Sequence, residues 1–272
     1  DIRNCIAALA DDDDIVTKLF QYRFKSGEGL EGHSFGNLFI TAMTSICGDM
    51  VSAIKESSKV LLIRGRVLPA TVDDMRLIAK MEDGSVVRGE SNIPEAGKRI
   101  VDLSSEPLHC KPAKEVIEAI HSADLIILGP GSLYTSIIPN LLVSGIAEAV
   151  SNSRAAKIYV CNVMTQPGET DNYSVSDHIR ALFRHAVKSG ANKKLFDAVL
   201  INDSLPENLA KKYEEKDSLP VEEDTGAIRD LGIEIVRAKL IQDNKDGLVR
   251  HDPKKVAKAI YFWFRKKGLK NR

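Results

Sequence analysis

Apolar and polar positions change period several times along the chain, and each change predicts an element. IRNCIAAL and DIVTKLFQYRF space their apolar residues as helices within residues 1–24. Asp11 to Asp14 lie between them and read as a solvated cap for the second helix, whose positive dipole end favours carboxylates. Four adjacent aspartates point in different directions on a helix, so they cannot all converge on one metal ion. A loop with four glycines follows at residues 25–36 (KSGEGLEGHSFG), and then an apolar helix over residues 37–50. From 59 to 104 the runs become short and β-rich: VLLIRGRVLPAT, MRLIAKM, SVVRGE and RIVDLS. Asp83-Gly84 supplies a hairpin turn between two of them. This predicts an antiparallel β excursion inserted between α/β units.

The second half alternates strands with helices. A helix over residues 112–122 has Pro112 near its first turn. Leu125 to Leu128 forms a short apolar run that stops at Gly129-Pro130-Gly131-Ser132 and turns into a helical pattern. Further apolar runs are KIYVCNV (157–163), AVLI (198–201) and IEIVRAKL (233–240). Helical patterns cover VSDHIRALFRHAV, a short amphipathic segment at 206–215, and KKVAKAIYFWFRKK, which Asp252 caps with Pro253 at its first position. Strands alternating with helices predict a doubly wound, mainly parallel α/β sheet. The expectation is one domain over residues 1–272 with a β insertion at about 59–104.

Composition narrows the class. Lys+Arg and Asp+Glu both number 38, so no global basic field argues for nucleic acid or an anionic membrane. No apolar run is long enough to span a bilayer. Cys5, Cys47, Cys110 and Cys161 stand far apart without C-x-x-C spacing, which points to a reducing, cytoplasmic setting rather than a disulfide framework. No secretory signal is expected. The sequence opens on Asp1 inside a helical pattern, so it is expected to continue upstream.

Candidate chemistry lies in the loops. In doubly wound sheets ligands sit outside the carboxyl ends of the strands. Gly129 and Gly131 let backbone approach a phosphate, and Ser132, Thr135 and Ser136 add hydroxyls at the helix start. The simpler alternative is a tight turn with capping hydroxyls. Gly32-His33-Ser34-Phe35-Gly36-Asn37 is a second loop of donors at a helix start, with local capping as its alternative. Met164-Thr165-Gln166-Pro167-Gly168-Glu169-Thr170 and Asn202-Asp203 follow strands and should share the edge of Gly129 to Ser132. The expected cleft is built from loops 32–37, 129–136, 164–170 and 202–204. His178 and His185 share a helix face, more simply as half-buried or surface residues than as a metal pair.

Several of these stretches match a known family. GHSFGNLFITAM (32–43), VLPATVDD (67–74), GES (89–91), ADLIILGPGSLYTSIIPNLLVSGI (123–146) and YVCNVMTQPGETDNYSVSDHI (159–179) closely resemble the bacterial gluconeogenesis-factor family of YvcK type. More distantly they resemble 2-phospho-L-lactate transferase (CofD). The resemblance implies a Rossmann-like fold and a cytoplasmic regulator of carbon flux between gluconeogenesis and cell-wall precursors, needed for cell shape. It implies a UDP-sugar ligand such as UDP-N-acetylglucosamine, or a dinucleotide in the same cleft, with no required cofactor. By the same resemblance Tyr213 and Arg250 contact the UDP-sugar. Gly32, His33, Ser34, Gly36 and Asn37, with Gly129, Gly131, Ser132, Thr135, Thr165, Gln166 and Asn202, complete the expected ligand set; no metal ligand is assigned. The family opens with a strand, a Gly-Gly-Gly-Thr-Gly loop and an Asp-Asp-Gly-Gly-Ser-Ser segment, none of which is in this sequence.

Two functions are open. A non-catalytic regulator needs only groups that cradle a ligand. A CofD-type phosphoryl or 2-phospholactyl transferase needs Mg²⁺ held by carboxylates, of which the cleft loops offer few beyond Glu169, Asp171 and Asp203. A nicotinamide-dependent oxidoreductase is disfavoured, because Gly129-Pro130-Gly131 does not extend to G-x-G-x-x-G. The expected partners are a nucleotide sugar and no nucleic acid, with homo-oligomer and protein partners left open.

Overall fold

The computed structural model describes residues 2–10, 15–204, 217–242 and 249–270, apart from the side chains of Val16, Leu269 and Lys270. The chain divides into two compact units, residues 1–72 and 73–272.

The first unit is helical: α1 (Ile2–Leu9), α2 (Ile15–Gln21), α3 (Phe35–Cys47) and α4 (Met50–Val60). Ile6, Phe20, Ile40, Ile54 and Leu61 form its core, and Phe20 meets Phe39 edge-on at 5.8 Å. The single helix expected over residues 37–50 is instead two helices. Gly48 turns left-handed at φ 86° and its N–H returns to the Thr44 carbonyl at 2.9 Å. Asp49 then caps α4 by accepting from the Ser52 N–H at 2.9 Å. The run VLLIRGRVLPAT, read as β, forms no strand. Val60 closes α4, and Leu61, Ile63 and Val67 pack against the helical core. Period cannot separate a short apolar run at a buried helix end from a strand. The aspartates at 11–14 lie outside the described residues.

In the second unit the antiparallel excursion is present. It spans 76–106, with β1 (Arg76–Met81), β2 (Val86–Arg88) and β3 (Ile100–Glu106) in the order β2-β1-β3. Leu77, Ala79 and Met81 alternate inward along β1. The Asp83-Gly84 turn forms as expected: Gly84 takes φ 84° and Asp83 Oδ1 accepts from the Ser85 N–H at 3.0 Å. A short α5 (Asn92–Glu95) lies between β2 and β3, and α6 (Lys114–Ser122) leads to the second sheet.

That sheet is parallel, in the order β4 (Leu125–Leu128), β5 (Ala156–Val160), β6 (Ala198–Asn202), β7 (Glu234–Ala238). Strands β5 and β6 are buried on both faces, as parallel strands covered by helices must be. Ile158, Val160, Ala198 and Leu200 pack against Ile260 and Trp263 of the terminal helix, α11 (Pro253–Lys270). On the alternate positions Tyr159 meets Phe196, which in turn meets Phe183 of α9 (Val175–Lys188). Among the described residues the remaining helices are α7 (Ile138–Leu142), α8 (Ile146–Asn152) and α10 (Thr225–Asp230). Asp252 caps α11 as expected, its Oδ1 accepting from Lys254 and Lys255 N–H at 2.9 and 3.1 Å. The architecture is Rossmann-like α/β with a separate antiparallel sheet. Among the described residues no single helix is long and apolar enough to cross a membrane.

Candidate functional site

Because β4, β5 and β6 run parallel, the loops after them emerge at one edge. There a cleft of about 850 Å³ opens, lined in part by Gly131, Ser132, Asn162, Gln166, Glu169 and Arg250. The volume falls within the ordinary range of small-molecule sites.

The turn after β4 is constrained. Gly129 adopts φ 71°, and a Cβ there would stand 3.0 Å from the Val160 carbonyl oxygen and 3.1 Å from Ile137 Cδ1. The chain then makes a π-helical turn, Leu133–Ile137, with Ser136 and Ile137 both donating to the Ser132 carbonyl, at 2.9 and 3.0 Å. Such wide turns recur at functional sites. The turn runs into α7, with Pro139 in its first turn.

Side chains tie this turn to the loop after β5. Asn162 accepts from the Gly131 N–H at 3.4 Å and donates to the Gly131 carbonyl at 2.9 Å. Gln166 Nε2 donates to Ser132 Oγ at 2.8 Å, and its own N–H donates to Thr170 Oγ1 at 2.9 Å. Glu169, 4% exposed, accepts from the Tyr134 N–H at 3.2 Å and from Thr135 Oγ1 at 2.9 Å. Burial pushes its carboxyl up, and the Thr135 hydroxyl with the Tyr134 and Thr135 N–H groups only partly pulls it back. The donors at Tyr134 and Thr135 are therefore committed to an internal carboxylate. The Gly131 N–H is likewise held by Asn162, so an incoming anion is left the Ser132 residue just ahead of them, whose hydroxyl oxygen accepts from Gln166 and keeps its own proton to donate.

The expected site residues fall into three groups. Gly131, Ser132, Thr165, Gln166 and Arg250 line the cleft, and Gly129 and Thr135 shape its wall. Thr165 is buried and structural in its contacts: its Oγ1 accepts from the Leu219 N–H at 2.8 Å, and its carbonyl from Ser218 Oγ at 2.6 Å. Asn202 lines a separate cavity of about 180 Å³ that shares Asn162 and Val163 with the cleft. Its amide bridges backbone, donating to Ser204 O at 2.7 Å and accepting from the Leu240 N–H at 2.9 Å. Gly32, His33, Ser34, Gly36 and Asn37 belong to the first unit, where the first three lead into α3 and Gly36 and Asn37 lie in its first turn. His33 and Asn37 are exposed; Ser34 is buried at the N-cap but makes no capping bond, and its Oγ has no partner. Gly36 packs so tightly that a Cβ would stand 2.5 Å from the Phe20 carbonyl oxygen. Tyr213 lies outside the described residues.

Sequence reading missed Asn162 and His251. Asn162 sat inside an apolar run read as strand, whereas β5 ends at Val160. His251 lines the cleft with a buried Nε2 that has no partner. Burial lowers its pKa, against a hydrogen bond to the Cys161 carbonyl. Their one sequence signal is position, directly after a strand and directly before a helix cap.

His178 and His185 are fully buried rather than surface residues. Each presents Nδ1 to the carbonyl four residues earlier, Ser174 at 2.8 Å and Ala181 at 2.7 Å. His185 Nε2 accepts from the Leu103 N–H at 3.0 Å, joining α9 to β3. Among the described residues no group of three or more His, Cys, Asp or Glu side chains is placed to hold a metal ion.

A parallel sheet with a ligand-sized cleft at its carboxyl edge defines a Rossmann-like α/β protein. Comparison with known proteins is specific: the chain belongs to the family described as 2-phospho-L-lactate transferase CofD, whose profile matches residues 1–241. It is 48% identical over 261 residues to the gluconeogenesis factor of Bacillus subtilis, covering 96% of this chain and 80% of that one. A relative from Nostoc sp. is 52% identical over 265 residues, and the chain spans 57% of that protein's length. A crystal structure of a Bacillus halodurans protein superposes with TM-score 0.90 at 44% identity, covering 96% of this chain and 82% of that chain.

Proposed function

We propose that this cleft binds a nucleotide sugar of the UDP-N-acetylglucosamine kind. The protein acts as a non-catalytic, cytoplasmic regulator of carbon flux between gluconeogenesis and cell-wall precursor synthesis. The observation that carries the reading is the donor set. Ser132 and the exposed Arg250 line the cleft, with Asn162 and Gln166 holding the Gly131-Ser132 turn in place, while Glu169, its buried carboxylate, is spent on Tyr134 and Thr135. A diphosphate takes N–H and hydroxyl donors, and a guanidinium adds a fixed fork for its oxygens. The name of the B. subtilis relative supports the link to gluconeogenesis.

The family's description favours a second reading, Mg²⁺-dependent 2-phospholactyl transfer. Magnesium is held in transferase sites by one or two carboxylates together with substrate phosphates. The described cleft offers Glu169 alone among carboxylates, already hydrogen-bonded internally, so its residues do not fit that ion.

Calorimetric titration of the full-length protein with UDP-N-acetylglucosamine tests the proposal. Arg250→Ala should weaken binding by roughly 1–3 kcal/mol, the range for a lost charged hydrogen bond, without unfolding the protein. Tyr213→Ala should do the same through a lost ring stack, roughly 1–3 kcal/mol. Wild-type affinity in both variants would place the ligand elsewhere, and Mg²⁺-dependent turnover of a 2-phospholactyl donor would establish the transferase.

A further inference from the structure

We propose that a second ligand site lies at the opposite edge of the parallel sheet, in the cavity walled by Lys157, and that it takes the carboxylate or phosphate group of a small metabolite. The cavity measures about 410 Å³ and shares no lining residue with the nucleotide-sugar cleft. It forms where β4, β5 and β6 begin: Asp124 precedes β4, Lys157 is the second residue of β5, and Asp197 precedes β6.

Its charges do not cancel. Lys157, Arg154 and Lys267 face Asp124 and Asp197. Asp197 is already answered, accepting from Lys267 Nζ at 2.5 Å and from the Lys157 N–H at 3.0 Å. Lys157 is only 7% exposed. Its Nζ donates to the Ser153 and Ser151 carbonyls at 3.0 and 3.4 Å, at the C-terminal end of α8. Those carbonyls take two of the three ammonium donors and bring partial charge only. A buried ammonium without a full counter-charge is costly. Burial accordingly lowers the Lys157 pKa; Asp197 opposes this, while Lys267 and Lys193 reinforce it. A compact anion would supply the missing charge and engage the third donor. Arg154 lines the same cavity, exposed and with no ion pair among the described residues, and supplies a second cation for that anion. Phe264 and Gly268 add an uncharged wall, which suits a small organic body behind the anionic group.

Thermal unfolding of the full-length protein, titrated with inorganic phosphate or with malonate at constant ionic strength, tests the site. A ligand that binds only the folded state raises the melting temperature by mass action. The expected result is a saturable rise with at least one anion. Phosphate alone would identify a phosphate ester as the ligand type, and malonate alone a carboxylate. Arg154→Ala, an exposed change that leaves the fold intact, should raise the half-saturating concentration at least fivefold. Arg250→Ala, in the other cleft, should leave it unchanged. The proposal is overturned if neither anion gives a saturable rise, if Arg154→Ala titrates as wild type, or if Arg250→Ala is the variant that abolishes the effect.

Discussion

Replacing Gly129 by alanine tests whether backbone constraint shapes the cleft. Two costs arise together. Gly129 sits at φ 71°, where an L-residue loses about 1–2 kcal/mol. The new Cβ would also meet the Val160 carbonyl oxygen at 3.0 Å and Ile137 Cδ1 at 3.1 Å. One neighbour is backbone of a buried strand and the other a buried side chain, so neither yields freely; overpacking of this kind costs about 1–3 kcal/mol. Alanine stiffens the unfolded chain and returns about 0.4–1 kcal/mol. The sum is a loss of about 1–4.5 kcal/mol, centred on about 3. Gly84 isolates the first cost: it has φ 84° with nothing within 4 Å of a Cβ. Gly84→Ala should therefore cost at most about 1.5 kcal/mol. Urea unfolding reads both variants in the same unit. Trp263, the single tryptophan, packs on β5 and β6 and reports by fluorescence. The denaturant slope should stay constant while the midpoint falls. Because Gly129 leads into Pro130, Gly131 and Ser132, affinity for the proposed nucleotide sugar should fall with it. Equal midpoints for Gly129→Ala and Gly84→Ala would refute the close-approach argument.

Other outcomes follow from burial and charge. Trp263→Ala should destabilise by about 3–5 kcal/mol, since the ring is 5% exposed against β5 and β6 and its Nε1 donates to Glu234 Oε2 at 3.2 Å; circular dichroism during urea unfolding measures it. His178 and His185 have folded pKa values below 6.5 because burial disfavours the cation, so the unfolded chain binds more protons and stability should drop as pH falls below about 6.5. His178→Gln should lose stability at pH 7 yet show a shallower decline from pH 7 to pH 5 by chemical denaturation; an unaltered decline would contradict the assignment. Glu169 has the opposite sign. Its folded pKa is raised above 4.5, so the stability that it contributes in its protonated form is lost as pH rises through that value. Glu169→Gln should remove this falling component, and an unchanged pH–stability curve just above pH 4.5 would argue against it.

The sequence alone determined the elements whose signals are local. The strands at 125–128 and 198–201, the Asp83-Gly84 turn and the Asp252-Pro253 cap follow from period, turn chemistry and capping, each encoded within a few residues. It also fixed the edge of the sheet that carries the cleft, because alternating strands and helices imply parallel strands with their loops on one side. Tertiary structure decided what depends on distant partners. Leu61, Ile63 and Val67 look like strand residues until the α1–α4 core claims them. Thr135 looks like a ligand hydroxyl until Glu169, 34 residues away, engages it. His251 and Asn162 enter the cleft only because the fold brings the segment before α11 beside the end of β5. Period is a property of neighbours in the chain, whereas the competition for a buried hydrogen-bond partner is settled only once the strands are ordered and the loops are packed.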